Sequence, residues 1–214
     1  YRYMELDEYG KHTISNIYFD TEDYALIRKS LEKPVYKEKL RLRAYGIPKD
    51  DSDAFIEIKK KYKGVVYKRR IGMKLFKAED YLYSGICDRE FNNQIFNEID
   101  YMKKMYTLFP RVYIAYDRRA FFGKDDPDFR ITFDENIVSR SDRLRLGHRS
   151  FDRRLLDRDF KLMEVKIQEA MPLWLSKTLS SLEIYSTSYS KYGEYYKQTI
   201  NESFLGNREV RYVI

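Results

Sequence analysis

In the stretch KEKLRLRAYG, Lys37, Lys39, Arg41 and Arg43 alternate with Leu40, Leu42 and Ala44. At the two-residue period of a strand, four cations share one face and the apolar residues take the other. The pattern recurs. In FIEIKKK, Glu57, Lys59 and Lys61 oppose Ile56 and Ile58, and in VVYKRRI Lys68 and Arg70 share a face. Tyr116 and Arg118 align in VYIAYDRRA, and Arg130, Thr132 and Asp134 align against Phe129, Ile131 and Phe133. In KLMEVKIQ, Glu164, Lys166 and Gln168 oppose Met163, Val165 and Ile167. Like charges held close together repel and need an anionic ligand to offset them. Arginine brings planar bidentate phosphate contacts and lysine a point charge, so a phosphate-rich ligand suits this set. Glu57 faces the same cations, either as an ion-pair partner of Lys59 or as an aid to metal binding.

The charge is concentrated. Residues 37–70 carry 12 Lys and Arg against 5 Asp and Glu, which accounts for the whole net charge of +7 on the 214 residues. The partner is therefore an anion: nucleic acid, lipid or a phosphorylated molecule. Aromatic residues make up 16% of the chain, which excludes disorder. No apolar run reaches the ~18 residues of a membrane span, and the start YRYMELDEYG lacks the features of a signal peptide. One cysteine, Cys87, fits a reducing compartment and a packing role, so a cytoplasmic location is expected. His12 and His148, the two histidines, are expected to be structural or on the surface.

The elements that must position these residues read as one α+β domain over residues 1–214, with mainly antiparallel strands. HTISNIYFDT is a strand, and Asp20 or Thr21 caps the helix that follows, which Pro34 stops. AFIEIKKKY and VVYKRRIGM form a hairpin around Gly64. Residues 76–106 read as helical, with Phe91, Ile95, Ile99, Met102 and Tyr106 as the buried stripe. RVYIAYDRRAFFG, FRITFDENIV, RLRLGHRSF and FKLMEVKIQ read as strands. Pro172 begins one helix, which Trp174 anchors, and a last helix starts near Lys191. Six strands with charges on one face suggest a barrel of about eight strands turned inside out, with helices outside and a charged lumen.

The motifs ISNIYFDT, YKEKLRLRAYG, FIEIKKKYKGVVYKRRI, YDRRAF, FRITFDENI, MEVKIQ, PLWL and SYSKYGEYY occur in the order seen in VTC domains. The chain resembles a bacterial VTC domain, the polyphosphate-polymerase module of the vacuolar transporter chaperone family. That family belongs to the triphosphate tunnel metalloenzyme, or CYTH-like, superfamily. The resemblance runs from about Ile14 to Tyr196. It implies a tunnel enzyme that transfers the γ-phosphoryl of ATP onto a growing polyphosphate with Mn²⁺ or Mg²⁺. Carried over by motif, Arg41, Arg43, Lys59, Lys68, Tyr116, Arg118, Arg130 and Lys166 bind phosphate. Ser190 and Lys191 close the site from the last helix, and Glu164 holds the metal. The family also has an earlier strand with a phosphate-contacting Lys. This chain is read as starting after that strand, which leaves closure of the barrel open.

In such a polymerase the nucleophile is a terminal phosphate, already anionic, so no general base is needed. Three alternatives share the cations: a tunnel triphosphatase, a polyphosphate-binding module without turnover, and a nucleic-acid binder. The last is disfavoured, because a narrow lumen excludes a duplex and no aromatic stacking platform is evident. No Walker A sequence or Cys/His metal cluster is present, and Ser30-x-x-Lys33 lacks partner motifs.

Overall fold

A computed structural model describes residues 2–86, 93–148 and 152–209, with side chains to residue 200. Cys87 and Phe91 lie outside the described residues. Eight strands form one sheet: β1 Met4–Asp20, β2 Tyr36–Tyr45, β3 Asp53–Tyr62, β4 Val65–Lys74, β5 Phe109–Gly123, β6 Arg130–Arg140, β7 Arg153–Arg154 and β8 Leu162–Lys166. Five helices accompany them: α1 Ala25–Leu31, α2 Leu75–Glu79, α3 Gln94–Tyr106, α4 Leu173–Ser181 and α5 Lys191–Glu209. A single π-turn, Asp80–Ser84, continues α2 and ends at Gly85, whose φ of +74° suits glycine.

The strand order is β4-β3-β2-β1-β5-β6-β7, and β8 also pairs with β6. Every pairing is antiparallel. The sheet is open: among the described residues no ladder joins β4 to β7 or β8. β3 and β4 form the expected hairpin. Its two turn residues, Lys63 and Gly64, both have positive φ, the conformation that matches strand twist.

Register fixes which residues share a face, because a one-residue slip would exchange the two faces entirely. Tyr18, Arg41, Glu57 and Arg70 form one row across β1–β4, and Lys39, Lys59 and Lys68 form the next. His12, Arg118, Asp134 and Leu162 form a row across β1, β5, β6 and β8 on the same face. Ala120, Thr132 and Glu164 form another, followed by Phe122, Arg130 and Lys166.

On the opposite face, Ile17, Phe19, Leu40, Leu42, Ile56 and Ile58 are buried with Leu75 and Ala78 of α2 and with Ile99 and Met102 of α3. Each fully buried Leu or Ile there stabilises the fold by about 2 kcal/mol. Farther along the same face, Ile131 packs with Leu175 of α4. Trp174 stacks on Tyr3 at 4.8 Å and meets Phe129 edge-on, which anchors α4.

Two helices depart from the inside-out expectation. α1 and α5 lie on the charged face, where Ile14, Val112 and Ile114 would otherwise expose apolar surface and instead pack with Ile27, Tyr192 and Tyr195. Residues 143–148 also form no strand. Their carbonyls turn toward Arg140, whose guanidinium donates to the backbone oxygens of Arg143, Arg145 and His148 and to Asp152. That side chain captures the acceptors a ladder would have used.

Candidate functional site

The site is built on the charged face, and its first anchor is Glu57 of β3. The side chain is 1% exposed and lies 2.6 Å from an Arg41 nitrogen, 2.9 Å from Lys68 Nζ and 3.9 Å from Arg43 Nε. Burial alone would raise its pKa. Arg41, Arg43 and Lys68 outweigh that and hold the carboxyl at about 2. Glu57 is therefore a fixed anion that brings three cations together. The expected pairing with Lys59 does not occur; Glu57 sits one row away, opposite Arg41 and Arg70.

Arg41 also donates to the Tyr18 hydroxyl at 3.2 Å. Arg43, 6% exposed, donates to Asn16 Oδ1 at 2.8 Å and to the Tyr116 hydroxyl at 3.2 Å. Burial would raise the Tyr18 phenol, but Arg41, Arg43 and Lys39 bring it down to about 8. Lys39 is brought down to about 8, chiefly by burial and then by neighbouring cations.

A second anchor is Asp134 of β6, which is fully buried. It accepts two bonds from Arg118, at 2.6 and 2.8 Å, and one from Lys191 Nζ at 2.6 Å. Burial opposes its charge, but Arg118 and Lys191 keep it below the usual carboxylate range. Glu164 differs. Its side chain is 53% exposed and its one described contact is with Arg118 at 3.3 Å. Arg130 stacks over Phe122, and its Nε is buried with no hydrogen-bond partner. Lys59 and Lys166 are exposed and make no ion pair among the described residues.

The start of α5 links these groups. Ser190 Oγ accepts from Lys39 Nζ and from the backbone N–H of Gly193, both at 3.1 Å. Lys191 lies 4.3 Å over the Tyr116 ring. Tyr192 stacks on Tyr18 at 5.0 Å and donates to Asp20 Oδ2 at 2.9 Å. Asp20 in turn accepts the N–H groups of Leu26 and Ile27, and Thr21 Oγ1 accepts that of Ala25, so both residues serve the free N–H groups of α1, although the N-cap position falls on Tyr24 rather than on either of them. Gly193 lets α5 approach closely; a Cβ there would lie 3.0 Å from Leu31.

All ten residues expected to bind phosphate therefore lie on this face or at the α5 terminus that covers it, and Glu164 lies beside them. Lys60, Arg69 and Arg119 lie on the other face, where Lys60 and Arg69 pair with Glu98 of α3. Sequence reasoning missed Asn16 and Tyr18 as members of the site. The alternation of Asn16, Tyr18 and Asp20 in SNIYFD was the available signal.

No cluster of three metal-ligating side chains occurs among the described residues. Glu57 and Asp134 are committed to cations, so Glu164 is the carboxylate able to take a hard cation, the remaining ligands being phosphate oxygens and water. On that donor set the site fits a metal that arrives with its phosphate.

Among solved structures, the chain is similar to a Bacillus halodurans protein provisionally designated an adenylate cyclase, at a TM-score of 0.50 and 12% identity over 86% of this chain and 81% of that one. A similarly designated protein from Vibrio parahaemolyticus gives a TM-score of 0.38 at 13% identity, covering 84% and 71%. The first likeness concerns the fold, an antiparallel α+β sheet protein. No curated relative matches. The VTC domain model matches residues 1–200, and the chain belongs to the VTC domain family. No described helix is long and apolar enough to cross a membrane.

Proposed function

We propose that this chain is a metal-dependent phosphotransferase, a polyphosphate polymerase that moves the γ-phosphoryl of ATP onto a growing polyphosphate. The observation that carries the reading is the contrast on the charged face between two buried, paired carboxylates and many cations. Glu57 and Asp134 neutralise only part of that charge: Lys59, Arg130 and Lys166 make no ion pair among the described residues and are free to meet a ligand. Membership of the VTC family and the half-exposed carboxylate of Glu164 on this face support it further.

In this reading Arg41, Arg43, Lys59 and Lys68 bind phosphate groups from β2, β3 and β4. Arg118, Arg130 and Lys166 bind them from β5, β6 and β8. Positioning and charge neutralisation are the main demands of phosphoryl transfer, and these groups meet both. A bound Mn²⁺ or Mg²⁺ supplies Lewis-acid polarisation of phosphate oxygens, and Glu164 holds it. The terminal phosphate of the acceptor attacks, so the absence of a histidine base on this face, apart from His12 at its margin, is no obstacle. Ser190 and Lys191, fixed by Lys39 and Asp134, cover the reacting groups. Enclosure of the face into a tunnel and a cytoplasmic location belong to the proposal.

Incubation with ATP and Mn²⁺ or Mg²⁺, with products resolved by size, tests it. Long polyphosphate is the expected result. Orthophosphate alone would make the protein a triphosphatase, and binding of polyphosphate without turnover would make it a binding module.

A further inference from the structure

Thr132 is 5% exposed, and its Oγ1 is buried without a hydrogen-bond partner. A buried hydroxyl left unpaired is costly, so such a group calls for an explanation. Thr132 sits on the charged face of β6, between Ala120 of β5 and Glu164 of β8. Ala120 offers no polar atom. Asp134, two residues along, has its oxygens engaged by Arg118 and Lys191. On the other side, Arg130 Nε is also buried and unpartnered. These two unsatisfied groups therefore lie at adjacent positions of one face, beside Arg118. The 3.3 Å contact from Arg118 to Glu164 crosses β6 beside Thr132 and is the longest of the three bonds Arg118 makes.

We infer that Thr132 Oγ1 is a phosphate-binding group: it donates a hydrogen bond to a phosphate oxygen held between Arg118 and Arg130. An arriving phosphate draws Arg118 away from Glu164. That opens the hydroxyl and frees the Glu164 carboxylate. A neutral donor beside two guanidinium groups adds directionality to a site that otherwise recognises charge alone. The inference rests on the proposed function, since it assumes that the face receives phosphates.

Tripolyphosphate binding by calorimetry in EDTA, together with thermal denaturation, tests it on wild type, Thr132→Val and Thr132→Ser. Valine preserves shape and removes the hydroxyl. The expected result is a Tm of T132V equal to or above wild type, with affinity weakened about tenfold. T132S, which keeps the hydroxyl, stays close to wild type in affinity. Equal affinity of T132V and wild type would overturn the inference and leave the proposed function standing. A clear loss of stability in T132V would reveal an internal partner for the hydroxyl and overturn it as well. Failure of wild type to bind tripolyphosphate both in EDTA and with Mn²⁺ would remove the proposed function, and this inference with it.

Discussion

The two halves of the charged face handle positive charge differently. In the β2–β3–β4 half, one buried carboxylate, Glu57, gathers Arg41, Arg43 and Lys68, and Arg43 is further held by Asn16 and Tyr116. In the β5–β6–β8 half, Asp134 does the same for Arg118 and Lys191, but Glu164 stays half-exposed and Thr132 and Arg130 keep unpaired polar atoms. The first half is a preorganised cradle whose geometry is set before a ligand arrives. In the proposed reading the second half holds the groups that change partners when a phosphate arrives. The two buried carboxylates are held by cations, and the half-exposed Glu164 is the one proposed to hold the metal.

That contrast breaks most sharply when the two glutamates are exchanged for glutamine. Glu164→Gln is expected to lower turnover about 100-fold or more while changing stability by no more than about 0.5 kcal/mol, as read by steady-state rates and thermal melts. Its tripolyphosphate affinity in EDTA stays near wild type. Glu57→Gln acts in the opposite way. It leaves Arg41, Arg43 and Lys68 uncompensated and costs about 3 kcal/mol, a fall in Tm of about 10 °C for a chain of this size. The same carboxyl gives an acid limb. Its folded pKa of about 2 lies below its ordinary value, so its contribution is complete above about pH 4.5 and lost as pH falls toward 2. E57Q should therefore show a flatter stability profile than wild type below pH 4.5.

Lys59→Ala removes an exposed cation that has no partner among the described residues. Tripolyphosphate affinity should fall about tenfold at low salt, and the difference from wild type should shrink as salt screens the charge. The smallest effect concerns pH. As pH rises through 8, Lys39 loses a positive charge and Tyr18 gains a negative one. Both changes weaken binding of a polyanion, so affinity should drop several-fold between pH 7 and 9. Lys39→Met with Tyr18→Phe should remove most of that slope.

Much of this arrangement was legible in the sequence because a strand's period is two. Alternation alone put Arg41, Lys59, Arg118, Arg130, Glu164 and Lys166 on one face and Lys60, Arg69 and Arg119 on the other. The role of Asp20 and Thr21 at the start of α1 and the turn at Gly64 followed from short-range chemistry, though the N-cap position itself is Tyr24. What alternation cannot give is which residue stands opposite which. Glu57 was read as a partner of Lys59, its neighbour two positions along the strand, whereas its cross-strand partners decide its role. The placement of α1 and α5 on the charged face also depends on long-range packing: Ile14, Val112 and Ile114 interrupt the charges and require cover. Over residues 143–148, the described part of RLRLGHRSF, the expected strand gave way to Arg140, whose five donors outcompete a short ladder at a bend. Closure into a barrel depends on pairings between sheet edges, which the pattern of a single strand does not encode.

The central claim is that a chain of phosphates lies along this one face. Lysine acylation footprinting with and without tripolyphosphate reads it directly. Lys59, Lys68 and Lys166 should be protected, while Lys60, paired with Glu98 on the other face, and Lys104, paired with Asp100 on α3, should react unchanged. Equal protection of both sets, or none at Lys59, Lys68 and Lys166 under conditions where tripolyphosphate is bound, would contradict the account.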